Sequence, residues 1–400
     1  MKRIVLIGGA GLMGRVTARD LVESGYEVTI ADINEEAARE VAQPLGSRAR
    51  VVRTDAGDIS SVLAAVEGAD AVVNVAQYYF NLTVMEACLQ ARLPYADLGG
   101  LFHLTRRQLE LDARFRELGI TAILGIGSCV GVTNLMAAYI ASRLAKVDYL
   151  HCWDGFAPAE DGLAWAYSID TIFDEITGRP MVWRGGRMLE LEPLSEPQPF
   201  LFEHGIGMLD CHHSLHSEAV TLPFAWPEKQ VDEVFFKIAS FGFTPAALAR
   251  LRFLADIGMA DRDPIEVPVR GGSSAAVRPR DVLVQSMRRA IAAAAPAEPG
   301  EPVRDVEEVV TTGEGITPDG RRLRFRVGTA AWYHEGWRVP AGGILTGVPP
   351  SIAGQWLAEG RVSGPGVMGP ELALDHEAFF RELATRGTKT TVSVAEVIAE

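Results

Sequence analysis

Over roughly the first third of the chain, short apolar runs alternate with segments whose apolar positions recur at helical spacing. MKRIVLI, Met1 to Ile7, is a strand-length apolar run. Arg15 to Ser24 reads as a helix, and Tyr26 to Ala31 as a second strand ending at Asp32. The same alternation predicts helix Glu35–Pro44, strand Ala49–Arg53, a helix from Asp58 to about Gly68, and strand Ala71–Asn74. Helix Leu82–Ala91, strand Tyr95–Leu98, helix Leu104–Leu118, strand Ile120–Ile126 and helix Val132–Leu144 complete the series. Strands separated by helices imply a parallel, doubly wound α/β sheet.

From Val147 the texture changes. Tryptophans, prolines and β-rich runs such as YLHCWDGFAP, PMVWRGGRMLELEP and EVFFKIASFGF appear. Thr311 to Thr329 alternates around Pro318-Asp319-Gly320, a good hairpin turn. Ala292 to Pro302 reads as a surface loop, and Gly342 to Gly360 returns to helical spacing. Three regions follow: residues 1–145 as the doubly wound domain, 146–340 as a mixed α/β domain for substrate and oligomer contacts, and 341–400 packing back on the first. No internal repeat at solenoid spacing is present.

A chain of 400 residues can bury a large core without disulfide or metal staples. A formal charge of −14 argues against nucleic acid or an anionic membrane as partner. Cys88, Cys129, Cys152 and Cys211 are widely spaced, giving neither a CxxC pair nor a disulfide framework, which suggests a reducing cytoplasm. Lys2 and Arg3 precede an apolar run too short for a signal peptide, and it ends in glycines instead of a cleavage site. Leu118 to Ser142 is uncharged, but glycines and polar residues interrupt it, so a buried strand, turn and helix explain it better than a membrane span.

The first strand runs straight into GAGLMG. Gly9 permits the tight turn, Gly11 lets the backbone approach a pyrophosphate, and Gly14 lets helix and sheet pack closely. Asp32 lies 18 residues past Gly14, where a carboxylate can accept both hydroxyls of an adenosine ribose. This is the pattern of a dinucleotide-binding unit, with Gly9, Ala10, Gly11, Leu12, Met13, Gly14 and Asp32 as cofactor contacts. A carboxylate at Asp32 repels a 2′-phosphate, and no arginine follows at Ile33 or Asn34, so NAD is favoured over NADP.

Ligands of open α/β sheets bind beyond the carboxyl ends of the strands. The loops at Gly8–Gly11, Asp32, Asp55, Asn74–Gln77, Asp97–Gly100 and Gly127–Gly131 should therefore line one crevice, adding Asp55, Asn74, Gln77 and Gly99 to the cofactor contacts. Asp58 reads as a helix N-cap. Asp97 is either a polar contact near the nicotinamide or a loop cap. Tyr78 and Tyr79 could cover the nicotinamide, donate a proton, or fill the domain cleft. EHGIGMLDCHHSLHSE holds four of the eight histidines, yet adjacent His212 and His213 would point to opposite faces of a strand, and no zinc spacing is present. Its members read as pocket, turn or interface residues, and no metal is expected. His151 and Asp154 are further pocket candidates. Cys129 reads as a small buried residue more than a nucleophile.

On these residues the chain resembles the saccharopine dehydrogenase family, most closely its lysine 6-dehydrogenase branch. The resemblance is carried by GAGLMGRVTARDLV, DAGD at Asp55–Asp58, VVNVAQYYFNLTV at Val72–Val84, YADLGG at Tyr95–Gly100, VRPRDVL at Val277–Leu283 and the run from Leu345 to Glu371. It implies a Rossmann domain completed by C-terminal helices, an α/β domain forming a homodimer or higher oligomer, and nicotinamide-dependent chemistry at an amino-acid or amine C–N bond. The family tyrosine falls on Tyr78. The family proline of the turn GSCVGVTN is replaced by Val130, and its arginine-bearing RY-x-GH segment falls on KIASFGFT, Lys237–Thr244, leaving Arg179, Arg184 or Lys237 to meet a substrate carboxylate.

The leading expectation is an NAD(P)-dependent dehydrogenase acting on a CH–NH bond, with Asp97, Tyr78 and Glu218 as candidates for the base. The alternatives are an NAD(H)-binding sensor without catalysis and a redox-neutral cyclase that retains its NAD.

Overall fold

The computed structural model describes residues 1–158, 167–270, 272–294 and 304–398. Seven parallel strands form the first sheet, in the spatial order Ala49–Arg53, Glu27–Asp32, Arg3–Ile7, Ala71–Asn74, Tyr95–Asp97, Thr121–Ile123 and Gly366–Met368. Both faces of this sheet are covered, which is why its strands read as continuous apolar runs. Along the first strand, Ile4 and Leu6 share a core with Val16, Leu21, Leu345 and Ile352, while Val5 and Ile7 face Val62, Val84, Met85 and Phe115. The strand order reverses direction between Arg3–Ile7 and Ala71–Asn74, and there the carboxyl edge opens a crevice.

One expected helix is two. Leu104–Leu118 resolves into Leu101–Leu109 and Asp112–Leu118. The break serves both sides: Gln108 turns inward to donate to Asp97 at 2.6 Å, and Asp112 accepts the Val367 amide at 2.8 Å. The uncharged stretch from Leu118 becomes the strand Thr121–Ile123 and the buried helix Val132–Ala141. No helix among the described residues is long and apolar enough to cross a membrane.

A nine-stranded sheet forms the second layer, in the order Gln198–Phe202, Gly207–His213, Glu233–Ile238, Lys146–Ala157, Val306–Ile316, Arg322–Trp332 and Lys389–Glu396, with Met181–Arg184 and Arg187–Glu190 paired at the side of Glu233–Ile238. The expected hairpin pairs Val306–Ile316 with Arg322–Trp332, and Gly320 takes the positive φ of 87° its turn needs. Of the loop expected at Ala292–Pro302, the first three residues end the helix Pro279–Ala294 and the rest lie outside the described residues.

The C-terminal region binds the layers together. Helix Ala341–Glu359 lies against helix Leu12–Glu23, where Gly347 gives the closest approach: a Cβ there would sit 2.7 Å from Val16 Cβ. The Thr17 hydroxyl donates to the Gly347 carbonyl at 2.7 Å, and Ser351 and Arg386 both donate to buried Asp20. Strand Gly366–Met368 extends the first sheet, whereas Lys389–Glu396 joins the edge of the second.

Candidate active site

The glycine turn sits at the switch point. Gly11 caps helix Leu12–Glu23 without a side chain, and Gly11 and Leu12 are exposed at the turn's mouth. The first amides of a helix have no intrahelical partner, so this turn offers donors and the positive end of the dipole to an anion. A Cβ at Gly14 would lie 2.5 Å from the Gly8 carbonyl oxygen, and one at Gly8 would lie 2.6 Å from Ala76 Cα. Only hydrogens at these positions let the strand, the helix and the Ala76 loop close on one another. The Asp32 carboxylate accepts from the Ala10 amide at 3.0 Å and the Asn34 amide at 2.9 Å, which pins it over the turn. These residues fit the pyrophosphate and ribose of a dinucleotide. Arg53, exposed and in ladder register with Asp32, brings a positive charge to this strand end through sheet pairing, where Ile33 and Asn34 bring none.

The other expected cofactor contacts divide. Gly99 holds a positive φ of 107°, and its carbonyl accepts from Asn81. Asp55 folds back on its own loop, accepting from the Gly57 amide at 2.8 Å. Asn74 is buried, with its amide nitrogen donating to Asn81 and Tyr95 and its oxygen accepting from Ala76. Gln77 leaves the first domain and donates to Ser168 Oγ at 2.7 Å, ahead of helix Ile169–Thr177.

Two of the expected bases are engaged by neighbouring groups. Asp97 is fully buried and saturated: Oδ1 accepts from the amides of Gly99 and Gly125 at 2.8 Å each, and Oδ2 accepts from Tyr95 at 2.9 Å and Gln108 at 2.6 Å. Burial pushes its carboxyl up, against the pull of these donors. It ties the end of strand Tyr95–Asp97 to the loop after Thr121–Ile123 and to helix Leu101–Leu109, with both carboxylate oxygens engaged. Tyr78 donates its hydroxyl to Asp174 at 3.0 Å, and burial followed by the Asp174 charge raises its pKa far out of the neutral range. Asp174 also pairs with Arg262 at 2.8 Å and with buried Arg280 at 3.1 Å. Tyr78 therefore closes an interdomain contact.

Glu218, the third candidate, belongs to a buried polar cluster where the Gly127–Gly131 loop, helix Ala341–Glu359 and the second sheet meet. It accepts from Thr133 at 3.1 Å and contacts His216 Nδ1 at 3.2 Å. The other His216 nitrogen lies 3.8 Å from Glu175, whose carboxylate accepts from Tyr167 at 2.9 Å and Ser214 at 3.3 Å. The His216 ring stacks on Phe236. Burial works against its charge, but Glu218, Glu175 and Asp154 outweigh that and raise it to about 9. Burial pushes Glu175 up to about 7 despite His216. Asp154 and Glu307 complete the cluster, both held well above the carboxylate range by burial. Opposite them, Ser128 Oγ and Thr346 Oγ1 are 3.0 Å apart, joining the Rossmann loop to the C-terminal helix.

The remaining candidates take structural places. His213 is buried against Glu196, and burial lowers it to about 4; His212 faces Leu194. His151 contacts Glu233 at 3.0 Å and stacks on Phe235. Cys129 keeps its proton, because burial and then Asp154, Glu218 and Glu307 raise its thiol. Arg179 pairs with Glu190 and Glu192, Arg184 with Glu233 and Glu196, and Lys237 donates to the Glu196 carbonyl and Gln198. Glu203, His204 and Glu308 bring three ligating atoms within 4.8 Å, but Arg326 pairs with both acids and supplies the cation there.

A glycine turn at the switch point of a Rossmann sheet that is joined to a mixed sheet is the architecture of a nicotinamide-dinucleotide oxidoreductase. Residues 4–123 match the family model of the saccharopine dehydrogenase NADP binding domain. The chain is 28% identical over 279 residues to a carboxyaminopropylagmatine dehydrogenase of Synechocystis, covering 66% of this chain and 68% of that one. It is also 28% identical to a carboxynorspermidine synthase of Vibrio alginolyticus, over 54% of each chain. Saccharopine dehydrogenase (L-Glu forming) of Saccharomyces cerevisiae shares the fold over 99% of this chain and 100% of its own, with a TM-score of 0.71 at 17% identity.

Proposed function

We propose that the chain transfers hydride between a nicotinamide dinucleotide and the carbon of an amine C–N bond, working in the cytoplasm as a homodimer or higher oligomer. The observation that carries this reading is the His216, Glu218 and Glu175 cluster, buried where the carboxyl edge of the Rossmann sheet meets the second domain. Names of relatives that contain carboxynorspermidine and carboxyaminopropylagmatine support an amine substrate, rather than lysine itself. When bound, the dinucleotide supplies the hydride acceptor or donor. An amine gives up hydride readily only once its nitrogen carries no extra proton, so the site needs a group that moves a proton near neutral pH. Glu175 has that property, and Tyr167 and Ser214 orient its carboxylate. His216, anchored by Glu218, holds a positive charge beside it. Gln77–Ser168 and Tyr78–Asp174 keep the two domains in register.

Asp32 favours NAD, and Arg53 is the group placed to meet a 2′-phosphate. The ratio of NADH to NADPH dissociation constants, read by fluorescence titration, tests this: Asp32→Ala should narrow the gap, and an unchanged ratio contradicts its ribose role. For the oligomer, the hairpin Ile265–Pro268 with Ser274–Val277 exposes Ile265 and Val267, and a lone two-stranded ribbon is marginal in water. Sedimentation showing a monomer would remove this part of the reading.

A further inference from the structure

Asp174 carries more cation than a tie to Tyr78 needs. Its carboxylate, 12% exposed, meets Arg280 on Oδ1 at 3.1 Å and Arg262 on Oδ2 at 2.8 Å. Arg280 stands at the start of helix Pro279–Ala294, and its side chain is only 3% exposed. Its Nε donates to the Ala260 carbonyl at 2.9 Å, and one terminal nitrogen donates to the Asp170 carbonyl at 2.9 Å. The guanidinium lies 5.4 Å from the centre of the Phe173 ring. Taking a guanidinium out of water is costly, and a buried ion pair returns little net stability. The Tyr78 hydroxyl asks only for a single acceptor oxygen.

The neighbour that feels this charge is Glu175. Both acids stand in the second half of helix Ile169–Thr177, with Asp174 turned toward the Rossmann domain and Glu175 into the buried cluster. The carbonyl end of a helix is the negative end of its dipole, so a second carboxylate there is hard to ionise beside an unpaired Asp174. Burial is the larger force raising Glu175, and Asp174 adds to it against His216, Tyr167 and Ser214. We propose that Arg280 and Arg262 are positioning residues for the hydride transfer: by holding and neutralising Asp174, they set the pH at which Glu175, one residue along, gives up its proton. This rests on the oxidoreductase reading above and adds the groups that tune its proton-handling acid.

The other groups around Glu175 have their own anchors. His216 lies 3.8 Å away and is held by Glu218 of helix Glu218–Ala225. Tyr167 precedes the helix of Glu175, and Ser214 follows strand Gly207–His213. Asp154 faces the cluster from strand Lys146–Ala157. From helix Pro245–Asp256, Arg252 donates to the Ile176 carbonyl at 2.9 Å and pairs with Asp256 at 2.9 Å. Asp170, on the same helix as Glu175, is 3.8 Å from Arg280 and 4.0 Å from Arg262. From the Rossmann domain, Tyr78 reaches the helix through Asp174. The two arginines on Asp174 can therefore be removed one at a time without touching a group bonded to Glu175.

Infrared difference spectra of the full chain across a pH series test this, because a protonated carboxyl has its own C=O band. The part of that band missing from Glu175→Gln belongs to Glu175, and its wild-type midpoint should lie at about 7. Arg280→Gln leaves Asp174 held by Arg262 alone and should raise the midpoint by about one pH unit, the order expected for one charge uncovered nearby in a protein interior. Asp174→Asn leaves two arginines without their acid and should lower the midpoint by a similar amount. Arg280→Lys keeps the charge and should bring the midpoint back to near the wild-type value. The opposite signs are decisive, since a loosened helix would move both variants the same way. If Arg280→Gln does not fold, Arg262→Gln takes its place with the same expected sign, its side chain being 48% exposed. Unmoved midpoints, or shifts of one sign in the arginine and Asp174→Asn variants, overturn the proposal. Hydride transfer is scored separately: shifted midpoints without any transfer would sink the oxidoreductase reading and leave the tuning of Glu175 standing, whereas transfer with unmoved midpoints would do the reverse.

Discussion

Replacing Asp97 separates a structural knot from a catalytic base. Four donors converge on its carboxylate: the amides of Gly99 and Gly125, the Tyr95 hydroxyl and the Gln108 amide. Asp97→Ala leaves all four facing a dry cavity, and an orphaned buried donor costs about 1 kcal/mol or more, so about 4–6 kcal/mol is expected. That is a large share of the roughly 5–15 kcal/mol that holds a domain folded. Asp97→Asn is milder. One oxygen can still take the two backbone amides, while the new NH2 meets the Gln108 donor, for about 2 kcal/mol. Urea titration should show the midpoint falling with an unchanged slope. Turnover per folded molecule should stay within a few-fold of wild type, once a substrate is in hand. A normal midpoint with a thousandfold loss of turnover would refute the assignment and return Asp97 to the chemistry.

Gly14→Val should both weaken the fold and loosen the dinucleotide, because its Cβ would collide with the Gly8 and Gly9 backbone; about 1–3 kcal/mol is expected from overpacking, read by denaturation and NADH fluorescence. Tyr78→Phe loses one hydrogen bond to an acid still held by Arg262 and Arg280, so thermal melting should drop by a few degrees at most. A hundredfold fall in kcat would contradict its structural role. The pH profile of hydride transfer should be bell-shaped for the coupled pair, rising through about 7 as Glu175 ionises and falling through about 9 as His216 loses its proton. For stability the sign is set by His216, whose folded pKa is raised: its contribution is complete below the ordinary histidine pKa and is lost as pH rises through about 9, so unfolding should become easier toward alkaline pH.

The first domain was readable because its signals are local. MKRIVLI, the glycines and Asp32 sit within one βαβ unit, and both faces of a covered parallel sheet demand apolar residues. The site was less so. Asp97 reads the same from sequence whether it is a base or a knot, since Gln108 and Gly125 reach it only through the fold. His216 and Glu218 stood out within the histidine-rich stretch EHGIGMLDCHHSLHSE and Asp154 as a pocket candidate beside His151, but Glu175 and Glu307 did not, and they join the others only through sheet register and the helix Ile169–Thr177. Glu307-Glu308 within VEEVVTT held a usable signal. Two successive acids in a valine-rich strand place one on each face of the sheet, so one of them faces the core.

The central claim is that the glycine cradle and the buried cluster form one redox site for a C–N bond. Dinucleotide carrying deuterium at the nicotinamide C4, incubated with the protein and a panel of aldehydes and diamines, tests it by mass spectrometry of the amine product. The account predicts that deuterium appears on the carbon bonded to nitrogen, and that the yield drops sharply with Glu175→Gln. Tightly held dinucleotide with no label reaching any amine carbon would contradict it and favour a sensor over an enzyme.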